Sequence, residues 1–153
     1  MKKEKYKIIL VGDGEIKSQL LRQAHESNVN IIITGFVKNP IQWLARADLF
    51  VFSSLTEGLP GALIEAMAVH VPCIATDIPG NNELILNEKT GLLVNTRSPD
   101  QLAIAIERLI DDKNLCKQLS ENAFKHVLDN YDYNIEKQLW LQLFNELESG
   151  NVN

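Results

Sequence analysis

The segment Ser53 to Ala68 reads SSLTEGLPGALIEAMA and holds two carboxylates, Glu57 and Glu65, on either side of Gly58, Leu59, Pro60, Gly61, Ala62 and Leu63. Gly58, Pro60 and Gly61 keep its first half out of a regular helix, let the backbone approach a ligand closely and suit a helix start. The first free amides are then expected from Gly61 to Ile64. With the positive end of the helix dipole, such amides hold an anion without lysine or arginine, and a diphosphate is the natural guest. Glu57 precedes the helix and Glu65 lies about one turn inside it, so the pair flanks the anion site. Carboxylates beside a diphosphate repel it and serve better as acceptors for hydroxyls. A nucleotide-sugar has hydroxyls at both ends, on the sugar and on the ribose, with the phosphates between. On residue types alone, the plainer alternative stays open: Glu65 as a solvated early-helix charge and Glu57 as a loop charge.

Such a loop must leave a strand and open a helix, at the edge where α/β sheets bind ligands. The chain supplies that grammar repeatedly. Lys7 to Val11 is a short strand-like run closed by Gly12, Asp13 and Gly14, followed by Ile16, Leu20, Leu21 and Ala24 at helical spacing. Ile31 to Thr34 ends at Gly35; Ile41, Leu44 and Ala45 give a short helix, and Leu49 to Phe52 the next strand. Leu63 to Ala68 reads as helix, Cys73 to Thr76 as strand and Gly91 to Val94 as a fifth strand. Continuous apolar runs suit strands buried on both faces of a parallel sheet. The class is therefore α/β, a Rossmann-like, doubly wound parallel sheet of about five strands with helices on both faces.

After Asn95 the pattern changes, with Ser98 an N-cap, Pro99 at the first helical position and Gln101 completing a capping box. Three helices are expected from there to about Ser149, so that 98–150 forms the helical C-terminal part of a single domain, 1–153. The last carries Ile135, Leu139, Trp140, Leu143, Phe144 and Leu147, a wide apolar stripe that must cover something.

The totals fit one ordinary globular domain: 153 residues, 45% hydrophobic and 23% charged, without repeats or low-complexity tracts. A net charge of -5 gives no long-range attraction for nucleic acid or anionic membrane. Cys73 and Cys116 form no CxxC or Cys/His cluster, which argues against structural zinc or disulfides and favours a cytoplasmic compartment. The apolar run Ile8 to Val11 is too short for a signal peptide, and nothing approaches the roughly 20 apolar residues of a membrane span.

Glu57 and Glu65 form E-x7-E within EGLPGALIEAMA, which resembles the signature of the glycosyl transferases group 1 family, retaining enzymes of the GT-B fold. VGDGEIKSQL, the turn at Gly35, ARADLFVFSSLTEG, VPCIATDIPGNNELI and TGLLV follow in the family's order, so the likeness runs from about Lys7 to about Tyr133. The resemblance implies the C-terminal, donor-binding domain of a glycosyltransferase, with Glu57 beside the donor sugar and reaction centre and Glu65 on the ribose. It places the diphosphate on the amides of Gly58 to Leu63, the nucleobase near Gly35, Phe36 and Val37, and the Gly12 and Gly14 turn among the donor contacts. It further implies a UDP-sugar as donor, no metal, a glycan or lipid-linked acceptor in polysaccharide biosynthesis, and room for peripheral membrane association of a full-length enzyme.

Four features depart from the family pattern. An Arg and a Lys that neutralise the diphosphate precede the GDG strand in the family, and an N-terminal acceptor domain completes its cleft; neither is in these 153 residues, so the chain alone is expected not to transfer sugar. His70 stands where the family has a glycine, and Gly80-Asn81-Asn82-Glu83 stands for Gly-Gly-x-Pro-Glu. His70 is read as a structural substitution that accepts strain or ends its helix differently, and Glu83 as an early-helix charge; His25 and His126 read as helix-surface residues. Position 17 is lysine where GxGxxG requires glycine, which disfavours NAD, and P-loop, GxSxG and HExxH patterns are absent. The alternatives are an epimerase or phosphorylase of the same fold, or a non-catalytic sugar-nucleotide or docking module using the Trp140/Phe144 stripe.

Overall fold

The computed structural model of the chain describes residues 6–148, without the side chains at 135, 136, 139, 143 and 146–148. The chain divides into two compact units, Met1–Arg46 and Ala47–Asn153. In the first, β1 (Ile8–Leu10), α1 (Lys17–Glu26), β2 (Ile31–Ile33) and α2 (Ile41–Leu44) follow in the expected order. β1 and β2 pair in parallel with Ile8 opposite Ile31, a pairing that needs a crossover, here α1. The expectation that such runs are buried on both faces does not hold in this unit: Ile8, Ile9 and Ile32 are 41%, 42% and 36% exposed. A ten-residue and a four-residue helix are the unit's only other described elements, too little to cover two faces.

The second unit contains β3 (Phe50–Phe52), α3 (Gly61–Ala68), β4 (Cys73–Thr76), α4 (Asn81–Leu84) and β5 (Leu92–Val94). The helices α5 (Pro99–Asp111), α6 (Lys113–Asn130) and α7 (Tyr133–Glu148) follow. β3, β4 and β5 form a parallel trio with β4 central, Phe50 facing Cys73 and Ile74 facing Leu92 in register. All four residues of β4 are buried, and since alternate side chains point to opposite faces, both faces are covered. Ile74, Leu92 and Val94 pack with Ala105, Leu109, Cys116 and Leu119 of α5 and α6. Leu63, Ala66 and Met67, at the i, i+3, i+4 spacing, form the fully buried side of α3, and full burial of Leu63 or Met67 stabilises by about 2 kcal/mol. These are parallel sheets with flanking helices, the expected class, but the five strands hydrogen-bond as a pair and a trio. The helix between β4 and β5 was legible only through the early-helix reading of Glu83, because the single turn of α4 is too short to show a period.

The ends of the helices explain several residue choices. α3 closes with His70 in the left-handed region, φ 59°, its amide bonded to the Met67 carbonyl and that of Val71 to the Ala66 carbonyl. This is a Schellman closure, a position that favours glycine, and the His70 ring stacks on Phe124 of α6 with centroids 4.1 Å apart. The predicted substitution for glycine is thus structural and strained. Pro99 occupies the first turn of α5 as expected, but the capping box does not form. Gln101 Oε1 accepts from the Asn95 amide at 3.0 Å, drawn to the loop before the helix, and the Ser98 hydroxyl turns to the Thr96 carbonyl. On α7, Trp140 and Phe144 are exposed with ring centroids 6.2 Å apart; the side chains of Ile135, Leu139, Leu143 and Leu147 lie outside the described residues. Among the described residues no helix is long and apolar enough to cross a membrane.

Candidate functional site

The loop from Ser53 to Pro60 leaves the C-terminal end of β3 and turns into α3, which puts it on the carboxyl edge of the β3–β4–β5 sheet. Glu57 and Glu65 are both half-buried, and neither carboxylate meets a hydrogen-bond or ion-pair partner among the described residues. On the helix surface Glu65 neighbours Gly61 and Ala62, four and three residues earlier, on the side opposite Leu63, Ala66 and Met67. Glu65 thus stands on the same side of α3 as Gly61 and Ala62 at the helix start.

The expected set of free amides needs correction. Pro60 begins α3 at φ -78°, ψ 84° without a side-chain cap, and its carbonyl accepts from both Leu63, at 2.9 Å, and Ile64, at 3.2 Å. The Gly61 amide folds back on the Leu59 carbonyl at 3.0 Å. The first turn thus satisfies donors that a regular helix leaves open. Gly58, Leu59 and Ala62 keep amides with no acceptor among the described residues, and all three residues are exposed.

Beneath this loop lies the turn after β4. Gly80 adopts φ 87°, ψ -54°, a strained γ-turn region open to glycine, and a Cβ there would stand 2.5 Å from the Gly58 carbonyl oxygen and 3.2 Å from that of Glu57. The Thr76 hydroxyl donates to the Ser54 carbonyl at 2.5 Å. Asn81, fully buried, donates its amide to the Thr76 carbonyl at 2.9 Å and to the Thr76 hydroxyl at 3.3 Å. Its Oδ1 has no partner among the described residues. Thr76 and Asn81 were not singled out from the sequence; the signal was an asparagine directly after a glycine that the turn requires. Glu83 is exposed, consistent with an early-helix charge, and its carbonyl accepts from the Tyr131 hydroxyl at 3.3 Å.

In the Met1–Arg46 unit the turns after β1 and β2 meet through a bridge between Gly12 and Gly35. The Gly12 amide reaches the Thr34 hydroxyl at 3.4 Å and the Gly14 amide the Asp13 carboxylate at 2.9 Å, so both glycine amides expected to meet a ligand have internal acceptors. Lys17 lies 3.1 Å from the other Asp13 oxygen; that hydrogen bond, then the Gly14 amide, hold the Asp13 carboxyl below its ordinary value. Phe36 is 89% exposed and Val37 half-buried. Asp13 is thus the residue of this turn whose role the spacing did not reveal.

Parallel strands joined by helices, with loops at their carboxyl ends that offer glycine-rich turns and a helix start, define a Rossmann-like α/β protein. The chain belongs to the glycosyl transferases group 1 family, whose sequence pattern matches residues 1–126. It is 33% identical over 128 residues to the Escherichia coli UDP-Gal:α-D-GlcNAc-diphosphoundecaprenol α-1,3-galactosyltransferase, an alignment that covers 81% of this chain and 33% of that enzyme. Among solved structures it superposes on TarM of Staphylococcus aureus, crystallised with fondaparinux, α-GlcNAc-glycerol and UDP, with a TM-score of 0.86 at 26% identity. That match covers 94% of this chain and 30% of TarM. HepE of Anabaena in complex with UDP-glucose gives 0.83 at 26% identity, over 91% of this chain and 41% of HepE. The chain thus spans about a third of the length of the curated relatives it matches.

Proposed function

We propose that this chain forms the donor-binding part of a retaining glycosyltransferase that moves a sugar from a UDP-sugar to a glycan or lipid-linked acceptor in polysaccharide biosynthesis. The observation that carries the reading is the α3 start, where exposed, unpaired amides of Gly58, Leu59 and Ala62 lie between two unpaired carboxylates. The diphosphate of UDP is held by those amides and by the positive end of α3. Glu65 takes the ribose hydroxyls and Glu57 a hydroxyl of the sugar. The UDP and UDP-glucose named with the two solved neighbours support the choice of nucleotide, and the lipid-linked acceptor of the E. coli relative supports the acceptor class.

In the proposed reaction the bond between the anomeric carbon and the phosphate oxygen breaks, and the acceptor hydroxyl arrives on the face the leaving group vacates, which retains configuration. Charge grows on the departing phosphate, and fixed amide dipoles stabilise it by about 3 kcal/mol per donor in sites of this kind. Glu57 orients a donor hydroxyl and places negative potential beside the positively charged carbon; it is not assigned a nucleophilic role. The acceptor is held by protein outside these 153 residues, so the chain by itself binds donor without transferring its sugar.

Isothermal titration with UDP tests the reading. Binding with a Kd on the order of 1 mM is expected, because the segment that carries the amides, Ser53 to Ala68, has no arginine or lysine. Absence of any heat or chemical-shift change at tens of millimolar UDP overturns the donor-site assignment. Robust transfer from UDP-glucose to any acceptor by the purified chain overturns the division of labour.

A further inference from the structure

The donor loop does not hold its shape through its own hydrogen bonds; none of Ser53 to Glu57 donates a backbone bond to another described loop residue. Its support comes from the neighbouring turn. The Thr76 hydroxyl, at the last position of β4, holds the Ser54 carbonyl at the start of the loop, and Gly80 passes under the carbonyls of Glu57 and Gly58 at its far end. Asn81 fixes both contacts, since its amide grips Thr76 twice and its own backbone follows Gly80 directly. This arrangement carries two unfavourable features: a glycine in a left-handed γ conformation and a buried asparagine oxygen without a partner. The strained glycine sits under the carbonyl of Glu57, the residue that carries the candidate catalytic carboxylate, and the asparagine follows it directly.

We infer that Thr76, Gly80 and Asn81 are positioning residues for Glu57: the turn after β4 is the seat that fixes the height of the donor loop, and with it the fit of the sugar end of the donor. The inference rests on the donor-site reading above. Thr76 is 4% exposed and its hydroxyl is committed to the Ser54 carbonyl, so it acts through Ser54. Its hydroxyl is uniquely placed to accept from Asn81 while donating to Ser54, which valine, of the same shape, cannot do.

The test compares UDP with UDP-glucose, because only the latter reports on the sugar end. In the wild-type chain UDP-glucose is expected to bind several-fold tighter than UDP. In Thr76→Val the affinity for UDP should stay within about twofold while that for UDP-glucose falls about fivefold, the loss of roughly one net hydrogen bond. Thr76→Ser, which keeps the hydroxyl, should restore the UDP-glucose affinity. Gly80→Ala, whose Cβ presses on the carbonyls of both Gly58 and Glu57, should weaken UDP and UDP-glucose alike, and thermal melts of each variant establish that the protein measured is folded. Wild-type protein that binds neither ligand overturns the donor-site reading itself. Wild-type protein that prefers UDP-glucose, with Thr76→Val keeping that preference in a folded state, overturns the positioning role alone. So does a Thr76→Val effect that Thr76→Ser fails to rescue, or equal losses for both ligands in Thr76→Val.

Discussion

Exchanging each carboxylate for its amide should split the donor into its two ends. Glu65 stands three residues after Ala62 along α3, about 4.5 Å of helix axis, so its carboxylate lies roughly 7 Å from a diphosphate on the Ala62 amide. Hydrogen bonds from ribose hydroxyls to a charged acceptor are worth about 1.5 to 3 kcal/mol. Against this, repulsion between the carboxylate and the two charges of a diphosphate at that distance costs about 1 kcal/mol when solvent screens the pair as fully as bulk water does. Glu65→Gln keeps volume and one neutral acceptor, so it removes the repulsion and the charge-assisted part of the hydrogen bonding, which leaves a net loss of about 0.5 to 2 kcal/mol at most, or roughly twofold to thirtyfold in Kd. The loss should be the same for UDP and UDP-glucose, since both carry the ribose. Glu57→Gln should weaken UDP-glucose by a similar factor and leave UDP unchanged or slightly tighter, because for UDP only the repulsion is removed. Titration of both ligands into both variants by calorimetry reads the four numbers. Equal losses for the two ligands in Glu57→Gln, or none in Glu65→Gln, refute the assignment of the carboxylates to opposite ends.

The remaining expectations concern the frame of the site. His70→Gly should change stability by less than about 1 kcal/mol, because relief of the left-handed conformation, about 1 kcal/mol, offsets the lost stacking on Phe124. A double-mutant cycle of His70→Gly with Phe124→Leu should then give a coupling of about 0.5 to 1 kcal/mol in urea unfolding, and zero coupling removes the stacking from the account. Burial pushes the Cys73 thiol up to about 12 and raises that of Cys116, so neither should react with iodoacetamide at pH 8 until the protein is unfolded; fast labelling of native protein contradicts this packing. Arg108 grips Glu88 through two hydrogen bonds of 2.5 and 2.6 Å, which lower the Glu88 carboxyl and raise Arg108. A lowered carboxyl stabilises the fold above its ordinary range and loses that contribution as pH falls through the lowered value. Both partners are largely exposed, so the amount is under about 1 kcal/mol, and Arg108→Gln should flatten the melting temperature between about pH 5 and pH 3. An unchanged pH profile in that variant shows the pair to be inert.

What the sequence determined by itself was whatever local chemistry dictates. Short apolar runs located β1 to β5, those of β1 and β2 closed by glycine, because a short strand and its turn are specified by adjacent residues. The Gly58, Pro60 and Gly61 pattern located the start of α3, and Glu57 and Glu65 fell around it by spacing alone. The glycine-like position of His70 came from the family resemblance, and its positive φ at the close of α3 gives the physical reason. Tertiary structure decided the rest, because it depends on groups distant in the chain. It showed that the Pro60 carbonyl takes up the Leu63 and Ile64 amides and leaves Gly58, Leu59 and Ala62 free. It gave the Gly12 and Gly14 amides to Thr34 and Asp13, and turned Gln101 away from Ser98 toward Asn95. Above all, it set Thr76, Gly80 and Asn81 beneath a loop some 20 residues earlier, a support that no pattern within either segment encodes.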